Sequence, residues 1–182
     1  FRTRPEARTT NRWLDTGTIA DADSYEIVGL EGVLNIGPMQ LVGEYMLGWV
    51  QRDPVAEDLQ FNGGYTYLSY FITGEHIPWE RATGTIGRVK PFENFFMVET
   101  CDGCRGCGMG AWEIAARYSY ADLEDADIFG GVGSNFTFAV NWYWTPYSKL
   151  MFNYIVGDIE DRALAIPDAN YQFIGARFAV DF

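Results

Sequence analysis

The chain has 182 residues, 25 of them acidic and 13 basic, for a net charge of −12, with 16% aromatic side chains and 20 glycines. That aromatic load excludes a disordered acidic tail, which must lack groups able to bury surface, and the acidic excess excludes an overall basic nucleic-acid footprint. No stretch approaches eighteen consecutive apolar residues; this removes membrane-spanning helices but not a membrane β-barrel, whose apolar residues alternate with polar ones.

The first residues, Phe1 to Arg12, carry neither an initiator methionine nor a charged, apolar, small-residue leader, so a processed or partial chain is expected. They hold Arg2, Arg4, Arg8 and Arg12 against the single Glu6, a net of +3 that leaves −15 on the other 170 residues. Arg2, Arg4 and Arg8 share one parity and therefore one face of an extended chain. From Ser24 an alternating stretch runs to the tight turn Asn35-Ile36-Gly37-Pro38. A second strand returns with Leu41, Gly43, Tyr45, Leu47 and Trp49 against Gln40, Val42, Glu44, Met46 and Gly48. Phe61 to Thr73 reads as a third strand whose facing stays open, because tyrosines occupy both parities. Beyond a long connection, Glu75 to Gly110, the residues Trp112, Ile114, Ala116, Tyr118 and Tyr120 oppose Glu113, Ala115, Arg117 and Ser119. Phe136, Phe138, Val140, Trp142 and Trp144 then oppose Thr137, Ala139, Asn141 and Tyr143, and Thr145-Pro146-Tyr147-Ser148 supplies a turn with its φ preset by proline. Leu150, Phe152, Tyr154 and Val156 return from it, and a last strand sets Ile174, Ala176, Phe178, Val180 and Phe182 against Gly175, Arg177, Ala179 and Asp181.

The closing strand by itself fits a soluble sandwich and an outer-membrane barrel equally well; the recurrence of the same alternation along the chain favours the barrel. Loop lengths point the same way. The turns at Gly37 and Pro146 are short, whereas Arg52 to Gln60, Asp122 to Phe129 and Asp158 to Asn170 are expected to be longer acidic loops, matching short periplasmic turns and long extracellular ones. Trp49, Trp112, Tyr120, Trp142, Trp144 and Tyr147 crowd the strand ends, where an interfacial girdle belongs. Seven antiparallel strands do not match the even number of a bacterial single-chain barrel, so the wall is expected to be incomplete. By parity the 75–110 connection is periplasmic, and its length predicts that it folds into the lumen or caps it.

Several ordered segments resemble the phosphate-selective porins O and P. These are Phe1-Arg2-Thr3-Arg4-Pro5-Glu6 with Leu14-Asp15-Thr16-Gly17; Gly37-Pro38 with Gly43-Glu44-Tyr45; and Tyr70-Phe71-Ile72-Thr73-Gly74-Glu75-His76 with Gly87-Arg88-Val89-Lys90-Pro91. Gly110-Ala111-Trp112-Glu113, Ala116-Arg117-Tyr118-Ser119, Asn141-Trp142-Tyr143 and Met151-Phe152-Asn153-Tyr154 continue the likeness toward Phe182. The resemblance implies a sixteen-stranded, homotrimeric transmembrane β-barrel in the outer membrane of a Gram-negative-type envelope. This chain would be roughly its C-terminal half, with seven to eight strands. Residues 1–23 would be an arginine-rich segment entering the pore and residues 24–182 the barrel wall.

The function this implies is passive diffusion of small anions, phosphate or polyphosphate, through a pore in contact with outer-membrane lipid. Guanidinium groups offer forked donors to phosphate oxygens and a charge that does not titrate away. Arg2, Arg4 and Arg8, with Arg12 beside them, resemble the family's arginine ladder. Arg117 and Arg177 fall on the non-lipid face and are expected to pair with carboxylates such as Glu113, Glu44 or Glu31; Arg88 and Lys90 add positive charge if their connection turns inward. Cys101, Cys104 and Cys107 form CxxCxxC without a fourth cysteine for a tetrahedral metal or cluster, and His76 is the only histidine that could complete one. One loop disulfide with one leftover thiol is expected instead. With a single histidine, no Gly-x-Ser-x-Gly elbow and no phosphate loop, neither an enzyme nor a cofactor is expected. The competing readings are a non-selective porin, a structural outer-membrane anchor and a soluble β-sandwich binding module.

Overall fold

The computed structural model describes residues 1–4, 6, 12–53, 56–99, 105–162 and 167–182. Seven long strands form one antiparallel sheet: β1 (Ala22–Ile36), β2 (Met39–Arg52), β3 (Leu59–Phe71), β4 (Ala111–Asp125), β5 (Ile128–Thr145), β6 (Ser148–Arg162) and β7 (Ala169–Val180). Their spatial order is β7-β6-β5-β4-β3-β2-β1, so every strand pairs with its neighbours in sequence and the sheet is open at β1 and β7. No helix occurs among the described residues.

Period-2 alternation becomes two chemically distinct faces once the registers align. Leu34, Leu41, Leu68, Ala116, Phe138, Tyr154 and Ile174 are direct cross-strand partners in one row across all seven strands. All seven are exposed. One rung away lies a second such row, Ile36, Met39, Tyr70, Ile114, Val140, Phe152 and Ala176. Contiguous exposed apolar rows of this kind are rare on soluble monomers and mark a surface that meets a partner or a membrane. Glu31, Glu44, Tyr65, Ser119, Asn135, Gly157 and Tyr171 make the corresponding row on the opposite, polar face. The open facing of β3 is thereby settled: Tyr65 and Tyr67 belong to the polar face, Leu68 and Tyr70 to the apolar one.

The acidic segments contribute less loop than their composition predicts. β4 and β5 continue to a two-residue turn at Ala126–Asp127, with a register irregularity between Asp122 and Glu124, so Asp122 to Phe129 is mostly ladder. Strands also absorb much of the other two expected loops, β2 reaching Arg52 with β3 starting at Leu59, and β6 reaching Arg162 with β7 starting at Ala169. The reason is that ladder hydrogen bonds are indifferent to side-chain polarity, and here the carboxylates add bonds of their own. Asp125 Oδ2 accepts from the Gln60 N–H at 2.6 Å, Asp58 Oδ1 from the Arg52 N–H at 2.9 Å, and Asp127 Oδ1 from Arg52 Nη2 at 2.7 Å. The Arg52 guanidinium holds the exposed Asp127 carboxyl below the usual aspartate range.

Two segments cover the polar face at its two ends. At one end, a short ladder of Arg2–Thr3 with Leu14–Asp15 lies on the wall. Leu14, 5% exposed, is buried among Val50, Leu59, Phe61, Leu123, Ile128 and Ile159, while Trp13 packs edge-on against Tyr171 with centroids 4.3 Å apart. At the other end, Ile77 and Val89 pack on Phe71, Ala111 and Tyr143. Buried Glu75 accepts from the Phe92 N–H at 3.1 Å and from the Thr73 hydroxyl, whose oxygen in turn accepts from the Trp112 N–H at 3.0 Å.

Further along the 75–110 connection, Phe95 and Met109 meet the apolar face at the strand ends. Phe95 lies against Trp142 and Trp144, at 4.5 and 5.6 Å between centroids, and its N–H donates to the Trp144 carbonyl at 2.7 Å. Trp142 also stacks on Trp112 at 4.8 Å, and Trp144 meets Phe178 at 5.2 Å. The indole N–H of Trp142 donates to the Met109 carbonyl at 2.8 Å, fixing the foot of a small hairpin, Phe96–Glu99 with Arg105–Gly108. The aromatic surface at the strand ends gives Phe95 rings to pack against, and such pairs add about 0.5–1.5 kcal/mol beyond the area they bury.

Candidate polar-face site

Between the two covering segments the polar face stays partly open, and its middle is built by β2, β3, β4 and β5. Tyr67 stands directly opposite Arg117, and Tyr65 opposite Ser119. The Tyr65 and Tyr67 rings are nearly parallel and 6.5 Å apart, a spacing that follows from their standing two residues apart on one strand face. The Arg117 guanidinium carbon sits 4.1 Å from the Tyr65 ring centroid. Its Nε donates to Ser119 Oγ at 3.0 Å and its Nη1 lies 3.2 Å from Glu6 Oε2, while the Ser119 hydroxyl donates to Glu6 Oε1 at 2.9 Å. Arg117 thus forms an ion pair, as its placement on this face predicts, but with Glu6 of the N-terminal segment and not with Glu113, Glu44 or Glu31.

Glu113 is committed elsewhere. Only 6% exposed, it accepts at Oε2 from Asn141 Nδ2 and from the Tyr143 hydroxyl, both at 2.9 Å. Glu113→Ala leaves two buried donors without an acceptor, which costs about 1–3 kcal/mol for each group left unsatisfied. The expected order of thermal stability of the detergent-solubilised protein is wild type, then Glu113→Gln, then Glu113→Ala; equal midpoints for all three would show that the network contributes nothing.

The remaining residues singled out in the sequence are dispersed. Arg2 and Arg4 are exposed and line, with Phe1, Phe61, Tyr65 and Arg117, a cleft of about 370 Å³ between the N-terminal segment and the wall. Thr3 pairs with Leu14 and Arg2 with Asp15, and cross-strand partners share a face. Thr3 and Leu14 therefore share one side of this short ladder, and Arg2 and Asp15 the other. Arg12 is exposed as well, and none of the three has an ion-pair partner among the described residues. Arg8 lies outside the described residues. Arg177 is exposed on the edge strand β7 opposite Met151 and makes no ion pair among the described residues.

Arg88 is occupied at the sheet end: it pairs with Asp181 and lies 4.4 Å over the Tyr147 ring. Lys90 is exposed. Cys107 is a free, exposed thiol, while Cys101 and Cys104 lie outside the described residues. No group of three or more His, Cys, Asp or Glu side chains suited to a metal occurs among the described residues. Sequence reasoning missed the roles of Glu6, Ser119 and Tyr65. The signals present were the parity that Glu6 shares with Arg2 and Arg4, and the spacing of two between Arg117 and Ser119.

Comparison with known proteins bears on this arrangement. The sequence model described as phosphate-selective porin O and P matches residues 1–182, the whole chain. A protein of Caulobacter vibrioides described as uncharacterized is 30% identical over 125 residues, covering 67% of this chain and 23% of that protein. The matched region therefore spans about a quarter of that relative's length.

Proposed function

We propose that this chain, which belongs to the phosphate-selective porin O and P family, forms part of the wall of an outer-membrane channel that passes phosphate and related small anions by passive diffusion. The apolar rows face lipid and the polar face lines the pore. Residues 24–182 supply the wall, and residues 1–23 the arginine-bearing segment laid along it. The open edges β1 and β7 pair with further strands of the same barrel, which assembles as a homotrimer in the manner the family resemblance implies.

The observation that carries the anion reading is the placement of Arg2 and Arg4. They line a cleft on the polar face and have no carboxylate within ion-pair distance among the described residues. Unpaired guanidinium groups in a confined pore raise the local concentration of anions and offer them successive binding positions. A second reading, a non-selective or cation-tolerant porin, draws on the carboxylates Glu31 and Glu44, which face each other across β1 and β2 on the same polar face.

Zero-current potential across a planar bilayer under a salt gradient separates the two. An anion-selective potential is expected for the porin containing this chain. Replacing Arg2 and Arg4 together by glutamine should lower phosphate conductance by roughly tenfold, the low end of what electrostatic focusing supplies. A cation-selective wild-type channel overturns the anion reading.

A further inference from the structure

The contacts of Glu6 describe a binding site whose ligand comes from the chain itself. One carboxylate oxygen lies 3.2 Å from Arg117 Nη1 and the other accepts from the Ser119 hydroxyl at 2.9 Å, while Arg117 Nε is bonded to the same hydroxyl oxygen at 3.0 Å. The guanidinium is held beside the Tyr65 ring at 4.1 Å. The wall alone supplies this cradle, because Tyr65, Arg117 and Ser119 belong to the paired strands β3 and β4. Two oxygens of one planar anion bridge a guanidinium and a hydroxyl, and two oxygens of a tetrahedral phosphate present the same geometry to the same donors.

We propose that Arg117, Ser119 and the face of Tyr65 form a phosphate-class oxyanion site on the polar wall, and that Glu6 is its resident, displaceable occupant. Displacement is reasonable on energetic grounds. The pair is partly exposed, with the side chains of Arg117 and Glu6 34% and 23% accessible. Its 3.2 Å separation is longer than the roughly 2.7–2.9 Å of strong charge-assisted bonds. Partly exposed pairs of this kind contribute little. Arginine has five N–H donors, and among the described residues only two groups on Arg117 are engaged, so a phosphate gains donors that Glu6 leaves unused. Glu6 would therefore set the affinity of the site, masking a fixed positive charge until a permeant anion of higher charge arrives. Arg2 and Arg4 line the same cleft and draw anions toward it.

This inference rests on the anion-channel reading for its physiological meaning, but its test does not. Inorganic phosphate titrated calorimetrically into the detergent-solubilised full-length porin reads the site directly, and the zero-current potential of the same preparation reads selectivity. Glu6→Gln should tighten phosphate binding by about 3- to 10-fold, the equivalent of losing a competing, partly exposed pair. Arg117→Gln should weaken binding and abolish the effect of Glu6→Gln, so that the double variant matches the Arg117 single. Ser119→Ala, which alters no charge, should weaken binding several-fold and keeps the question answerable if Arg117→Gln does not fold.

The proposal is overturned if Glu6→Gln leaves phosphate affinity unchanged or lowers it, or if its effect persists undiminished without Arg117, which would make it a general field effect. It is equally overturned if Ser119→Ala binds phosphate as the wild type does. A cation-selective potential alongside the expected binding pattern would sink the anion-channel reading and leave the site standing.

Discussion

Gly110→Ala should prevent the sheet from closing its junction with the hairpin, and should lower the thermal midpoint of the folded protein more than any other single alanine substitution at a glycine of the wall. Gly110 sits at φ +69°, immediately before β4. A Cβ there would fall within clashing distance of the Tyr143 carbonyl oxygen and only 3.1 Å from Trp142 Nε1. Left-handed backbone costs a non-glycine residue on the order of 1–3 kcal/mol where the surroundings hold it in place. The clash with main chain adds to that, because no side-chain rotation relieves it.

The damage would spread to the neighbouring contacts. Trp142 Nε1 donates to the carbonyl of Met109, the adjacent residue, and Trp142 carries both the Trp112 stack and the Phe95 contact. Near-ultraviolet circular dichroism of the stacked indoles should therefore weaken together with the loss of thermal stability. Gly32→Ala is the matched control: it lies in β1, with φ outside the left-handed region and open space around the Cβ position, so its midpoint should stay close to wild type. Equal midpoints for the two variants would mean that the Gly110 turn relaxes without strain.

What the sequence makes legible here is parity. The seven strands, their antiparallel order and the apolar and polar faces all follow from period-2 alternation, because in a wall with lipid on one side and water on the other each residue's face is set by its environment. Where that contrast fades, sequence reading fades with it. Tyrosine has an apolar body and a polar tip, so Tyr65, Tyr67 and Tyr70 gave β3 no parity until the register with β4 placed them. Asp122 to Asp125 likewise continue as ladder although their composition reads as loop.

The site itself was only partly legible. Spacing gave Arg2 and Arg4 one shared face and put Arg117 on the polar side, but the partner of Arg117 depends on how the N-terminal segment lies against β4, a contact between residues far apart in sequence. The path of the 75–110 connection is illegible for a similar reason. Phe95 meets the apolar face beside Trp142 and Trp144, and nothing local to Phe95 encodes that.

Leu14→Ala should release the N-terminal segment from the wall and, with it, the placement of Arg2 and Arg4. Leu14 is the one fully inserted aliphatic side chain among the segment's described residues, enclosed by residues from β2, β3, β4, β5 and β6. The wall makes room for it at Gly133, where a Cβ would come within 3.1 Å of Leu14 Cδ1. Truncating a buried leucine to alanine costs about 2–5 kcal/mol, and at about 1.4 kcal/mol for each factor of ten even the lower figure shifts a docked-to-released equilibrium by more than an order of magnitude. The segment's other ties to the wall are lighter. Among the described residues they include the Trp13–Tyr171 edge contact, the Phe1–Phe61 contact at 5.4 Å, the Ser119–Glu6 hydrogen bond and the Glu6–Arg117 pair, of which a partly exposed ion pair holds least.

Release should appear as faster tryptic cleavage after Arg12 in the folded, detergent-solubilised protein, together with loss of the anion selectivity proposed above, while the wall keeps its β-sheet dichroism. Leu14→Met, which conserves volume and should cost less than about 1.5 kcal/mol, ought to retain both properties. Gly133→Val tests the same joint from the other side, since its side chain would occupy the space Leu14 needs. If Leu14→Ala remains as resistant to trypsin as the wild type and as selective, the segment is held by its remaining contacts and the insertion of Leu14 is incidental to the pore.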